Sequence, residues 1–193
     1  MKRIEEVYRH ILYEAFEKDN YLHKQSEIAE ALDMSLSVGN LALKPLKRML
    51  AVRIQKMGFS VVDLKKILYY WASIRNLEKD IIYSTRIEKP VRQIESEVPS
   101  GCIFGAYSAY KFRYKDVPAD YSEVYIYADD MKEIAKRFPK NTKLPNLIVL
   151  EKDKNMEAMT VGQIFVDLWN LKEWYAKYFL EAIEARWNTG TAP

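Results

Sequence analysis

Between residues 41 and 66 the chain carries Lys44, Lys47, Arg48, Arg53, Lys56, Lys65 and Lys66 against the single acid Asp63. Seven cations facing one anion over so short a stretch create a local field that attracts a polyanion. Asn40 and Arg48 add specificity, since an amide and a guanidinium can each make two hydrogen bonds to the edge of an adenine or a guanine. Ser37, Asn40, Lys44, Lys47 and Arg48 recur every three or four residues, which puts them on or near one face of a helix. Arg53 and Lys56 follow in a hairpin-like stretch, where they would meet phosphate or a minor groove. The chain holds one cysteine, Cys102, and two histidines, His10 and His23, so no internal disulfide forms and a zinc site is short of ligands. No metal and no cofactor are expected, and the cysteine usage fits a reducing cytoplasm.

Elements that would position these residues can be read from hydrophobic spacing. The net charge is only +3, but residues 1–100 hold 17 Lys and Arg against 14 Asp and Glu while the remainder is balanced at 13 each, so the excess sits in the first half. Ile4, Val7, Ile11, Leu12 and Phe16 keep a helical spacing, with Glu5, Glu6, Arg9 and Glu14 on the other sides. A second helix is predicted from Gln25 to Leu32, with Ile28, Ala31 and Leu32 on one face. A third, capped by Ser35 or Ser37, has Leu43, Leu46 and Leu50 on its apolar side. Pro45 inside it predicts a kink or a late helix start. The β-branched runs VRIQK and FSVVD, joined through Met57-Gly58, predict a hairpin. Asp63 then caps a helix to Leu77 whose Leu64, Ile67, Leu68, Trp71 and Ile74 form a stripe wide enough for an interface between halves or between copies.

In a helix-turn-helix the two helices cross closely, so the first needs a small residue at the crossing and the second must offer polar groups outward to the major groove. Ala29 supplies the small residue, Met34 the apolar residue of the turn, and Ser37, Asn40, Lys44 and Arg48 the outward groups. Residues 4 to about 75 thus resemble the winged helix-turn-helix families of bacteria and archaea. That resemblance implies double-stranded DNA as partner, with the helix around 37–50 in the major groove and the 52–62 wing on the backbone.

Beyond residue 80 the sequence alternates: IIYSTRI, CIFG, EVYIYA and NLIVLE are strand-like, while 89–97, AYSAYKFRY, MKEIAKRF, 160–168 and 171–187 are helical. Pro99-Ser100-Gly101 marks a break that suits a boundary. Gly105-Ala106 between a short strand and a helix, followed by the strand 122–127, is similar to the nucleotidyltransferase fold, in which Gly-Ser holds a phosphate and alternate strand carboxylates bind magnesium. With a winged helix before it and TVGQIFVDLWNL near its end, the chain resembles the AbiEi-like antitoxins of type IV toxin-antitoxin systems. The catalytic pattern is missing: Glu123 is the only acid of the strand and Ala106 replaces the serine, so no enzyme is expected. Asp129 and Asp130 are read as caps of the helix from Met131, Asp167 and Asn170 as caps between two helices, and Tyr107, Tyr110, Tyr114, Tyr121, Tyr125 and Tyr127 as core or interface before nucleotide-stacking groups.

The expectation is an α+β protein, with a winged helix-turn-helix DNA-binding domain over 1–85 and a small mixed α/β, nucleotidyltransferase-like regulatory or protein-binding domain over 86–193. It is expected to be a cytoplasmic transcriptional regulator that engages DNA and a cognate toxin or other protein, with a homodimer as one arrangement, and no membrane. The rivals are a nucleotidyltransferase-class enzyme and a winged-helix protein-interaction module.

Overall fold

In the computed structural model, which describes residues 1–188, the chain is α+β and divides into two compact units. Residues 1–75, 160–166 and, of the described end, 186–188 form the first; 76–159 and 167–185 form the second. The expected boundaries at 85 and at 99–101 both fall inside the second unit, because the strand at 81–85 pairs there.

The first unit runs α1 (Arg3–Lys18), β1 (Leu22–His23), α2 (Gln25–Ala31), α3 (Leu36–Arg48), β2 (Val52–Gln55), β3 (Gly58–Val61) and α4 (Leu64–Ile74). Its sheet has the order β1-β3-β2 and is antiparallel throughout. Asp63 caps α4 as expected, accepting from the Lys66 amide at 3.0 Å. Gly58 opens β3 where a Cβ would stand 2.2 Å from the His23 carbonyl oxygen, so only glycine lets β1 approach the hairpin. The turn residues are accordingly Lys56 and Met57, with Gly58 already paired to Gln55.

Burial corrects several sequence expectations. Glu5, Glu6 and Arg9 of α1 are buried, because α1 is covered on more than its apolar side. Glu5 accepts from the Trp71 indole at 3.1 Å and faces Arg75 at 3.5 Å, while Glu6 is paired with Arg3. In α2 it is Ala29, not Ala31, that joins Ile28 and Leu32 inside. The α4 stripe needs no second copy to cover it: Ile67, Leu68 and Trp71 are buried within their own unit, where Gly162 lies against Leu12 and Trp71 and Phe165 meets Tyr69 edge-on.

His23 of β1 is buried and His10 of α1 partly so, and desolvation lowers both imidazoles from their ordinary value near 6.5, the charge of His10 also opposing that of His23. The fold therefore favours the neutral rings. Stability should be fully present above pH 6.5 and fall as the pH drops through the lowered values. Urea titrations at about pH 7.5 and 5.5, on either side of the ordinary imidazole value, read this, and His23→Gln should flatten the difference. An unchanged midpoint in the wild type would contradict it.

The second unit contains a 3-10 turn (Leu77–Asp80), β4 (Ile81–Thr85), α5 (Val91–Glu97), β5 (Ile103–Gly105), α6 (Ala106–Tyr114), β6 (Val124–Ala128), α7 (Lys132–Arg137) and β7 (Leu147–Glu151). Helices α8 (Val161–Trp169) and α9 (Ala176–Asn188) follow, each divided between the units. The sheet order is β4-β7-β6-β5, with only the β6/β7 pair parallel. Every residue of β6 is buried, which explains its unbroken apolar and aromatic run. One side of the sheet packs Val124, Ile126, Leu147 and Val149 with Ile94, Ile134 and Phe138. No helix among the described residues is long and apolar enough to cross a membrane.

Candidate nucleic-acid interface

The loop between α2 and α3 is set by a turn and a clamp. Met34 donates its amide to Ala29 O at 2.9 Å, and Asp33 takes a left-handed conformation at φ 46°, which aspartate tolerates better than most residues. Arg3 of α1 then donates to the carbonyls of Leu32 and Asp33 at 2.7 and 2.8 Å. Tyr8, also of α1, is fully buried and donates to Ala42 O of α3 at 3.0 Å. Two side chains of α1 thus fix where α2 ends and how α3 lies, and neither Arg3 nor Tyr8 stands out in the sequence.

Helix α3 begins at Leu36 and continues through Pro45, so the late start is not found. Proline withholds an amide whose acceptor would be the carbonyl of Leu41, a residue on the exposed side where water can serve. Gly39, Ala42, Leu43 and Leu46 are buried, while Ser37, Asn40, Lys44 and Arg48 lie toward solvent and Lys47 is half-exposed. Arg53 and Lys56 of the hairpin are exposed too. None of these five cations makes a hydrogen bond or ion pair among the described residues, in contrast to Lys18, Lys24 and Lys66, which pair with acids on their own helices or caps. Unneutralised charge on one helical face and a neighbouring hairpin is what a phosphate backbone recruits.

Leu50, expected on the apolar face, is exposed because the helix has already ended: Ala51 N reaches back to Leu46 O at 2.9 Å and Leu50 sits at φ 58°. A leucine there carries the left-handed penalty with no burial to offset it. Leu50→Gly should stabilise the protein by about 1 kcal/mol, read as a raised urea midpoint; a lowered midpoint would contradict the assignment.

No protein-family model, curated protein or solved structure matches this chain.

In the second unit Gly105, at the start of α6, lies close to Tyr127 and Asp167. A Cβ on Gly105 would stand 3.1 Å from the Tyr127 ring and 3.6 Å from the Asp167 carboxylate, and Tyr127 donates to Asp167 at 2.8 Å. Asp167 is fully buried inside α8, where it accepts from this tyrosine. Glu123 precedes β6 and takes bonds from Tyr175 and Ser122. Asp130 accepts from Lys132 N at 2.8 Å and Asp129 lies 3.8 Å from Lys152, while the N-cap position of α7 itself is Met131, without a side-chain cap bond. Tyr107 and Tyr110 are fully buried against Phe179, and Tyr107 and Tyr125 both donate to Glu173, so these rings belong to the core. Burial pushes the hydroxyls of Tyr107, Tyr121 and Tyr125 far above their ordinary range, which keeps them protonated donors. Among the described residues no three His, Cys, Asp or Glu side chains are grouped to hold a metal ion.

Proposed function

We propose that the first unit is a winged helix-turn-helix that binds double-stranded DNA, with α3 in the major groove and the β2–β3 hairpin as the wing. The observation that carries this reading is the face of α3 itself: Ser37, Asn40, Lys44 and Arg48 lie exposed along one side, and the cations have no partners among the described residues. The element order α1-β1-α2-α3-β2-β3, with β1 closing a three-stranded sheet, supports it. Asn40 and Arg48 read base edges, Ser37, Lys44 and Lys47 meet base or phosphate, and Arg53 and Lys56 hold the backbone beside the groove. A cytoplasmic transcriptional regulator of the antitoxin-like kind follows, its second unit serving regulation or a protein partner rather than phosphoryl transfer. Two copies would read a two-fold symmetric site. Fragments of the source genome retained by the purified protein, once sequenced, should converge on a shared site and shift in a gel in a salt-dependent way. Retention without sequence preference and without salt dependence would refute the proposal.

A specific observation favours a second reading, that this unit docks a protein. Leu36 and Leu41 of α3 are 52% and 54% exposed, and Ile54 and Met57 of the hairpin 48% and 72%. Apolar groups at this density suit a protein surface as well as thymine methyls. Under that reading DNA is not retained and a salt-insensitive protein complex forms instead.

A further inference from the structure

A second basic site lies wholly within the second unit. Arg86, Ile87, Glu88 and Lys89, which follow β4, and Arg137, Phe138, Pro139, Lys140 and Asn141, at the end of α7, line an open cleft of about 370 Å³. The size falls at the lower end of the range of small-molecule sites, which runs from about 300 to 1,000 Å³.

Both walls are pinned. Thr85, fully buried at the end of β4, donates to Pro139 O at 2.8 Å and accepts from Asn141 N at 2.9 Å. Asn146, also buried, accepts from Ile87 N at 2.7 Å and donates to Ile87 O at 3.0 Å. Tyr83 adds a bond to Phe138 O at 2.7 Å. The cleft is therefore held open by buried polar groups of the sheet, and little ordering remains for a ligand to impose.

The balance of charge sets the sign of the ligand. Glu97 is taken up by Lys89, whose Nζ lies 2.7 and 2.8 Å from its two oxygens, and Glu88 is shared between Lys143 at 2.8 Å and Arg86 at 3.6 Å. Arg137 and Lys140 donate to neutral carbonyls, those of Glu97 at 3.0 Å and Ser84 at 2.6 Å. Arg137 lies near the Glu97 carboxylate that Lys89 already holds, and neither Arg137 nor Lys140 forms an ion pair of its own among the described residues, so the cleft keeps an excess of positive charge. A planar guanidinium and an ammonium on the lining of one cleft suit the oxygens of a phosphate.

We infer that this cleft binds a small phosphorylated anion, held through its phosphate oxygens by Arg137 and Lys140. The site stands independently of the DNA-binding reading, since none of its residues belongs to the first unit. Pyrophosphate and adenosine monophosphate serve as probes, titrated against the full-length protein at constant ionic strength while thermal unfolding is followed. Either probe should raise the wild-type midpoint by roughly 3 °C at about ten times its Kd. The same rise is expected in K44A/K47A/R48A, which alters only the first unit. R137Q/K140Q should lose it, and K140Q alone, which gives up a single exposed bond, should bind several-fold more weakly. No rise with either probe, or an equal rise in R137Q/K140Q, would overturn the inference.

Discussion

Replacing Lys44, Lys47 and Arg48 together with alanine should abolish a DNA gel shift at ~0.15 M salt, where screening over about 8 Å leaves only close charge pairs effective. All three lie on α3 with exposed or half-exposed side chains and without an ion pair among the described residues, so their removal costs the fold little. Each phosphate no longer neutralised should make the dependence of log K on log salt shallower by about 0.9, so the three together flatten it by roughly 2 to 3. Asn40→Ala provides the contrast. If Asn40 reads an adenine, that change should relax preference at one base pair by ~1 to 3 kcal/mol and leave the salt dependence as it was. A triple variant that melts like the wild type and still shifts DNA would show that α3 is not the helix that meets the groove. Loss of a protein complex instead of a DNA complex would transfer the same face to the second reading.

The elements around that face are legible in the sequence because their hydrophobic spacing is local. Helix α4 with its Asp63 cap, the hairpin, and the alternation of strands and helices beyond residue 80 all follow from period and turn chemistry. What stays hidden depends on partners distant in sequence. Strand β1 has two residues, too few for any pattern, and exists because β3 offers it an edge. Glu5 and Glu6 read as solvent-facing until Trp71, Arg75 and Arg3 supply their partners. Leu50 reads as core only while the helical period is carried past the helix end. The basic cleft is invisible for the same reason: Arg86 and Lys89 are separated from Arg137 and Lys140 by about fifty residues, so a charge count by halves merges one pair into the excess of residues 1–100 and the other into the balanced remainder. The bond that Asp167 accepts from Tyr127 is hidden likewise, since forty residues separate the two until β6 brings the tyrosine to it.

Trp71→Ala should be the most destabilising single change in the first unit. The indole is fully buried, and removing a buried aromatic side chain costs ~3 to 5 kcal/mol through lost transfer energy and the cavity left behind. Its nitrogen also matters, because it donates to Glu5, a carboxylate only 1% exposed that water cannot readily serve. Trp71→Phe separates the two effects: it keeps most of the packing and removes one donor from a carboxylate that still faces Arg75, so it should cost about 1.5 to 3 kcal/mol, the range for a hydrogen bond to a charged group. At about 2 to 4 °C per kcal/mol for a chain of this size, the alanine variant should melt roughly 10 °C below the wild type. Because the stripe is covered by α1 and the 160–166 segment of the same unit, light scattering should give the same oligomeric state for both proteins. A change of oligomeric state without a fall in melting temperature would return α4 to an interface between copies. Equal melting of wild type and Trp71→Ala would contradict a core in which Trp71 packs between Glu5, Leu12 and Gly162.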